Sequence, residues 1–160
     1  MLIQSITSNR ASVNKYSQNI KNTEKPSNTN FKALIHNCAY NGDLQGLKRE
    51  LAKGIDINLK NKYCDTPLIY AVSAEREHIV DELINSKNIK LDIQNIFGMT
   101  ALHKAVINQN ENIVEKLLLK ILEMNPDNLT DIINIKDTYK KTPRAYANKN
   151  IEDIFKKYMD

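Results

Sequence analysis

Two stretches decide the fold: TPLIYAV at residues 66–72 and TALHKAV at residues 100–106, which lie 34 residues apart. A related stretch, ALIHNCA, occupies residues 33–39, and TPRAYA at residues 142–147 follows the second stretch by 42 residues. A period near 33 residues is typical of solenoids, in which short units stack because one unit alone cannot bury its apolar face.

Each unit carries signals for two helices. Thr66 and Thr142 are expected to be N-cap residues, with Pro67 and Pro143 at the first helical position, where a missing N–H costs nothing. Small residues in the first helix allow close approach of its neighbours. A second helix is predicted from apolar residues at helical spacing, namely Ile79, Val80, Leu83 and Ile84 in one unit and Ile113, Val114, Leu117 and Leu118 in the next.

These residues resemble ankyrin repeats, whose signature is Thr-Pro-Leu-His-x-Ala. GDL at residues 42–44 and GIDIN at residues 54–58 are similar to the family's mid-repeat glycine and its Gly-Ala-Asp-Val-Asn ending. The resemblance implies an all-α solenoid of stacked helix-turn-helix units with projecting β-hairpin or turn loops. We predict repeats at 31–60, 61–94 and 95–136, the last with an insertion near 124–133, and a cap at 137–160.

Four positions depart from the family pattern at its glycines. The turn glycine is kept at Gly98 but is Cys64 in the second unit and Lys140 in the fourth, while the mid-repeat glycine becomes Glu75 and Gln109. If these positions need a positive φ, each non-glycine residue there is strained.

Residues 1–30 are rich in Ser, Asn, Thr and Lys, too polar to bury a core, and are expected to form a disordered tail. They lack the apolar core of roughly 7–15 residues that a secretory signal needs. No acidic residue precedes Glu24, which leaves a translocation signal as an alternative.

The net charge of +4 lies mainly in this tail, since residues 1–30 carry +3 and residues 31–160 only +1. A nearly neutral folded part disfavours nucleic-acid binding. Residues 136–160 hold seven Lys or Arg against four acids, so nucleic-acid or membrane-surface binding through the tail and this end stays an alternative. The sequence contains no run of about 18 apolar residues, so no membrane-spanning helix is predicted.

Two cysteines, Cys38 and Cys64, provide no disulfide framework and fit a reducing compartment. Cys38 replaces a core alanine and is expected to be buried, whereas Cys64 lies near a turn tip and is expected to be more accessible. We predict two free thiols and a cytoplasmic location.

Abundant Asn, Ile and Lys indicate an AT-rich genome, and with the unstructured leader they leave secretion into a host cell as the alternative.

The histidines favour a structural interpretation. His36 and His103 occupy equivalent repeat positions, two repeats apart, where the family uses histidine for hydrogen bonds between repeats, and His78 is expected to be solvated. No Cys-His-Asn set, Gly-x-Ser-x-Gly motif or phosphate-binding glycine loop is present. We therefore predict no enzyme, no cofactor and no metal site, with a cryptic active site in the 124–133 insertion as a weaker alternative.

The resemblance implies that hairpin tips and inner helices contact a partner protein. An aromatic residue recurs at one tip position, and exposed aromatics either anchor interfaces or stack and stiffen the hairpins; Ile96 and Met99 beside Phe97 favour the first interpretation. The function predicted is protein binding by a monomeric, stand-alone adaptor or inhibitor, with a secreted effector of a host-associated microbe as one form of it. The candidate tip residues are Lys62, Tyr63, Asp65, Ile96, Phe97, Met99, Thr138, Tyr139 and Lys141, and the candidate inner-helix residues are Tyr40, Asn41, Ser73, Ala74, Ile107 and Asn108.

Overall fold

The computed structural model of the 160-residue chain describes residues 31–124 and 129–159. The predicted disordered tail at residues 1–30 and residues 125–128 of the predicted insertion lie outside the described part.

The described residues form pairs of helices that pack against each other and follow one another along the chain. Every described element belongs to the unit Phe31–Asp160, and these residues form α-helices and one 3₁₀ helix but no β-strand, which confirms the predicted all-α class. The elements are α1 (Phe31–Asn41), α2 (Leu44–Ala52), α3 (Pro67–Ser73), α4 (Glu77–Ile84), α5 (Ala101–Ile107), α6 (Glu111–Met124), α7 (Leu129–Ile133), the 3₁₀ helix Pro143–Tyr146, and α8 (Lys149–Met159).

The helices stack in two layers. The first helices of successive units, α1, α3, α5 and the 3₁₀ helix, pack in sequence and form the inner layer, while α2, α4, α6 and α8 form the outer layer. The apolar stripes predicted for α4 and α6 are buried in a continuous core, as Leu83 and Leu117 illustrate. Since each stripe faces the neighbouring repeats, the stack buries what a single unit would expose.

The predicted cap at Thr66 is confirmed, and Thr100, which was not predicted as a cap, caps α5 in the same way. Thr66 Oγ1 accepts a hydrogen bond from the N–H of Ile69 at 3.3 Å, and Thr100 forms a reciprocal capping box with His103. The predicted side-chain cap at Thr142 is wrong, because a 3₁₀ helix begins there and the Ala145 N–H bonds to the Thr142 carbonyl instead.

The four departures from glycine adopt the left-handed conformation. Cys64, Glu75, Gln109 and Lys140 have φ between 57° and 63°, so the conditional expectation of strain is confirmed. The insertion near 124–133 contains α7, a helix that the sequence analysis did not predict and that packs on α6.

Candidate functional site

Three five-residue turns project between the helix pairs: turn 1 (61–65), turn 2 (95–99) and turn 3 (137–141). Each begins with an Asn or Asp whose Oδ1 accepts the backbone N–H groups two and four residues later. In turn 1, Asn61 Oδ1 accepts from Tyr63 at 2.8 Å and from Asp65 at 3.0 Å, and Asn95 and Asp137 do the same in turns 2 and 3. This arrangement preorganises each turn. Sequence reasoning missed these three residues, although their recurrence at the repeat period was a usable signal.

The turns are bonded to one another in a row. The N–H of Ile96 donates to the Tyr63 carbonyl at 3.0 Å, and the N–H of Thr138 donates to the Phe97 carbonyl at 3.0 Å. Gly98 permits this approach, because a Cβ there would lie 2.9 Å from the Asp137 Cα atom and 3.0 Å from the Thr138 nitrogen. Side chains of successive turns are therefore held in register on a rigid backbone.

Large apolar side chains are exposed on two adjacent turns. Ile96 is 50% exposed and Tyr139 52% exposed, while Tyr63 and Phe97 are half-buried. Lys62 is exposed, and its Nζ lies 5.0 Å from the centroid of the Tyr63 ring. Thr138 is also exposed. The tip positions proposed from sequence thus come together on one surface, with the exceptions that follow.

Two predicted tip residues face inward. Asp65 is 1% exposed and Met99 3% exposed, so the prediction that they are exposed at the tips is wrong. Both occupy the last position of their turn, where the chain returns to the inner helix. Asp65 Oδ1 accepts a hydrogen bond from Asn95 Nδ2 at 2.8 Å. Lys141, at the same position of turn 3, is half-buried with its Nζ 5.0 Å from the Tyr146 ring centroid.

The inner-helix candidates are less accessible than the tips. Asn41 is exposed, whereas the other five are half-buried, namely Tyr40, Ser73, Ala74, Ile107 and Asn108. Asn108 Nδ2 donates to the Val72 carbonyl at 3.2 Å, which ties α5 to the end of α3. The Tyr40 ring packs edge-on against Tyr70 with centroids 6.0 Å apart. Part of this row therefore holds neighbouring repeats together.

Two histidines connect the inner helices α1 and α5 to the turn that follows each helix. His36 Nε2 lies 3.0 Å from the Asp65 carbonyl oxygen, and His103 Nε2 lies 3.2 Å from the equivalent Lys141 oxygen. Burial lowers the pKa of His103. The structural interpretation is confirmed for both. His78 is exposed, with Nε2 2.9 Å from the Gly42 carbonyl oxygen, and the described residues contain no group of three or more potential metal ligands.

The burial of one lysine was also not anticipated. Lys104, on α5, is 1% exposed, and burial lowers its pKa to about 8 against the opposing influence of Asp65. Its position on an inner helix, equivalent to Tyr70 one repeat earlier, gave no local signal, because Asp65 lies far upstream in the sequence.

Many charges on the outer helices pair across repeats. Lys48 Nζ lies 3.1 Å from Glu82, Lys116 2.8 Å from Asp81, and Lys157 2.8 Å from Glu115. Lys157 belongs to the basic end at residues 136–160. In the same end Arg144 pairs with Glu152, and Lys156 with Asp153. These pairs reduce the free positive charge that a nucleic acid or an anionic membrane would require. Among the described residues no helix has the length and apolarity that a membrane crossing requires.

The comparisons with known proteins agree on one family. A family model for ankyrin repeats, with three copies, matches residues 35–128, which is more than half of the chain. The chain is similar to an ankyrin repeat protein of fowlpox virus (strain NVSL), with 26% identity over 167 positions. The match covers 92% of this chain and 24% of the viral protein, so the chain spans about a quarter of that relative's length.

Proposed function

The chain belongs to the ankyrin repeat family, whose repeats form protein–protein interaction modules, and we propose that it binds its partner through the row of turns 1–3. In this proposal the exposed Ile96 and Tyr139 side chains are the anchors, with Tyr63 and Phe97 completing the surface from their half-buried positions. The module acts as a monomeric adaptor or inhibitor: it brings a partner to a site or covers the partner's own binding surface, without chemistry of its own.

The exposure of Ile96 and Tyr139 on adjacent, hydrogen-bonded turns is the observation that carries the proposal. Burying an apolar side chain of this size contributes about 1.5–3 kcal/mol when it moves from water to a fully apolar contact. Because each turn is already ordered by its Asn or Asp and bonded to its neighbour, a partner need not order it, and less conformational entropy is lost on binding.

Site-specific photocrosslinking tests this assignment. A benzophenone amino acid placed at Ile96 or Tyr139 is expected to crosslink a partner protein in cell extract, and excess unlabelled protein should abolish the crosslink. The matched control is the same probe at Leu119, which is 42% exposed on the outer face of α6. A stronger specific crosslink from Leu119 than from either turn position would refute the proposal and place the binding surface on the outer helices.

We further propose that the partner is a host protein and that the chain acts in the cytoplasm of the host cell. The AT-rich residue usage and the similarity to a protein of a virus support this origin. Photocrosslinking from Tyr139 in an extract of host cells should capture the partner. Capture only from an extract of the organism that encodes the chain would refute the effector role and leave the binding surface unaffected.

A further inference from the structure

We propose that the partner presents an extended acidic segment with an apolar side chain to turn 3 and the adjoining part of turn 2. This inference rests on the proposed function, since it names the class of partner that the same surface binds. The charge of the turns, the exposed apolar side chains of turns 2 and 3, the backbone of turn 3 and the conformation of Lys140 support it.

The outward-facing charge of the turns is positive. Two acidic residues occur in them, Asp65 and Asp137, and both are buried. Asp137 receives backbone N–H groups on Oδ1 and the Tyr146 hydroxyl on Oδ2, so its charge is used inside the repeat. Lys62 and Lys140, by contrast, are exposed. A partner that covers these turns meets lysines and no exposed carboxylate, which favours a segment of negative charge.

The surroundings of the turns do not cancel this charge. Lys136, immediately before turn 3, is exposed as well. The exposed carboxylates of Asp56 and Asp92 line a neighbouring open groove together with Lys60 and Lys90. Since that groove contains equal numbers of acidic and basic side chains, it adds no net negative charge to the turn surface.

Two exposed apolar side chains lie on adjacent turns 2 and 3. The hydrogen bond from the Thr138 N–H to the Phe97 carbonyl holds turns 2 and 3 side by side. The exposed residues Ile96 and Tyr139 are the chain neighbours of Phe97 and Thr138, so they lie on either side of this hydrogen bond. A single apolar side chain of the partner, set between acidic neighbours, would match this alternation of apolar surface and lysine.

Turn 3 offers a backbone carbonyl acceptor at the position whose carbonyl is already hydrogen-bonded in turns 1 and 2. The carbonyls of Tyr63 and Phe97 each accept an N–H from the next turn, whereas the carbonyl of Tyr139 accepts no hydrogen bond from the described residues. An extended segment beside turn 3 would donate a backbone N–H to it and continue the row. Addition of an extended chain to exposed backbone groups is a recurring mode of peptide recognition.

Lys140 occupies a position whose backbone conformation disfavours a non-glycine residue. Its φ is 63°, in the left-handed region, and the equivalent residue of turn 2 is Gly98 with φ 71°. Lys140 makes no ion pair with the described residues. The backbone N–H of Lys140 donates to the Asp137 carbonyl, a bond that a glycine could make equally well. A strained residue whose side chain makes no ion pair points to function, and here the function assigned is contact with a carboxylate of the partner.

The test uses three fluorescein-labelled peptides and the full chain. Each heptapeptide has one central phenylalanine, flanked on both sides by three glutamates, three glutamines or three lysines. Fluorescence anisotropy should show saturable binding of the glutamate peptide with a Kd below about 1 mM, at least tenfold tighter than the glutamine peptide and with no measurable binding of the lysine peptide. Equal binding of the first two peptides, or no saturation by the glutamate peptide, would overturn the proposal.

Matched variants separate binding from folding. Lys140→Gly removes the charge and also relieves the left-handed strain, so a several-fold weaker Kd in this variant cannot be due to unfolding. Cys64→Gly gives the same relief in turn 1 without a change of charge, and Lys87→Gln removes an exposed lysine elsewhere; both should bind as the unchanged chain does. Unchanged affinity in Lys140→Gly would overturn the proposal.

Two further outcomes identify what has failed. Tighter binding of a labelled 20-nucleotide single-stranded DNA than of the glutamate peptide, lost in Lys140→Gly, would overturn the acidic-peptide assignment in favour of a nucleic acid. A Tyr139 photocrosslink to a protein whose crosslinked segment has no excess of acidic residues would overturn this inference alone, because the turns would still be the binding surface.

Discussion

Replacement of Gly98 by alanine should disrupt the row of turns at its tightest point. An alanine at φ 71° costs about 1–2 kcal/mol because its Cβ is disfavoured in the left-handed region. The new Cβ would also lie 2.9 Å from the Asp137 Cα atom. Because this is a backbone atom, it can move away only if turn 3 moves with it. Moving turn 3 away weakens the hydrogen bond between Thr138 and Phe97, which contributes about 0.5–1.5 kcal/mol. Together these effects predict a loss of about 1.5–3.5 kcal/mol of unfolding free energy.

Urea denaturation at 25 °C measures this loss, with Cys64→Ala as the matched control. Cys64 occupies the same turn position with φ 58°, so alanine there introduces neither a new Cβ nor a new strain, and its effect should stay within about 0.5 kcal/mol, as for most substitutions that break no special feature. If Gly98→Ala and Cys64→Ala destabilise the chain equally, the close contact between turns 2 and 3 does not contribute to stability and the reasoning is refuted.

Three further predictions concern thiols, a buried lysine and the N-terminal residues. Burial raises the pKa of Cys38, so Ellman's reagent should modify Cys64 faster than Cys38, and equal rates would contradict the predicted difference in accessibility. The pKa of Lys104 falls from 10.5 to about 8 on folding, so between these pH values the unfolded chain binds more protons and the unfolding free energy should rise with pH. Urea denaturation at several pH values should show this rise in the unchanged chain and not in a Lys104→Met variant. An identical rise in the variant would exclude Lys104 as its source. Deletion of residues 1–30 should lower Tm by no more than a few degrees in calorimetry, because so polar a segment buries little apolar surface, and a larger drop would mean that it packs on the repeats.

The sequence predicted those features whose cause is local or repeats along the chain. The period placed the helix pairs, the cap at Thr66 followed from Pro67 beside it, and the resemblance to ankyrin repeats implied hydrogen bonds between repeats at His36 and His103. The alignment of Lys140 with Gly98 also identified a position that would be strained if it needed a positive φ, and its φ is 63°.

Features that depend on distant partners were missed. Asp65 is a polar residue of turn 1, and Met99 is a flexible apolar residue of turn 2. Neither residue type indicates burial in a projecting turn. Only the packing of the last turn position against the neighbouring elements shows that both are buried. Lys104 is buried beside an element from the preceding repeat, with Asp65 acting on it from far along the chain. Thr142 has the sequence of a cap, but the shortened fourth repeat forms a 3₁₀ turn in which the backbone carbonyl takes the hydrogen bond.

The most direct measurement of the central claim compares two double variants for affinity to the protein that the Tyr139 probe captures. Ile96→Ala with Tyr139→Ala removes the exposed apolar surface of the turns, and Leu119→Ala with Met124→Ala removes a similar exposed surface from α6, where the two residues are 42% and 48% exposed. Losing two half-exposed anchors should cost about 3 kcal/mol, or roughly a hundredfold in Kd, with little change in the unfolding free energy. The turn variant should therefore bind about a hundredfold more weakly, while the α6 variant binds within about twofold of the unchanged chain. The opposite result, a folded turn variant with full affinity and an α6 variant that no longer binds, would contradict the account.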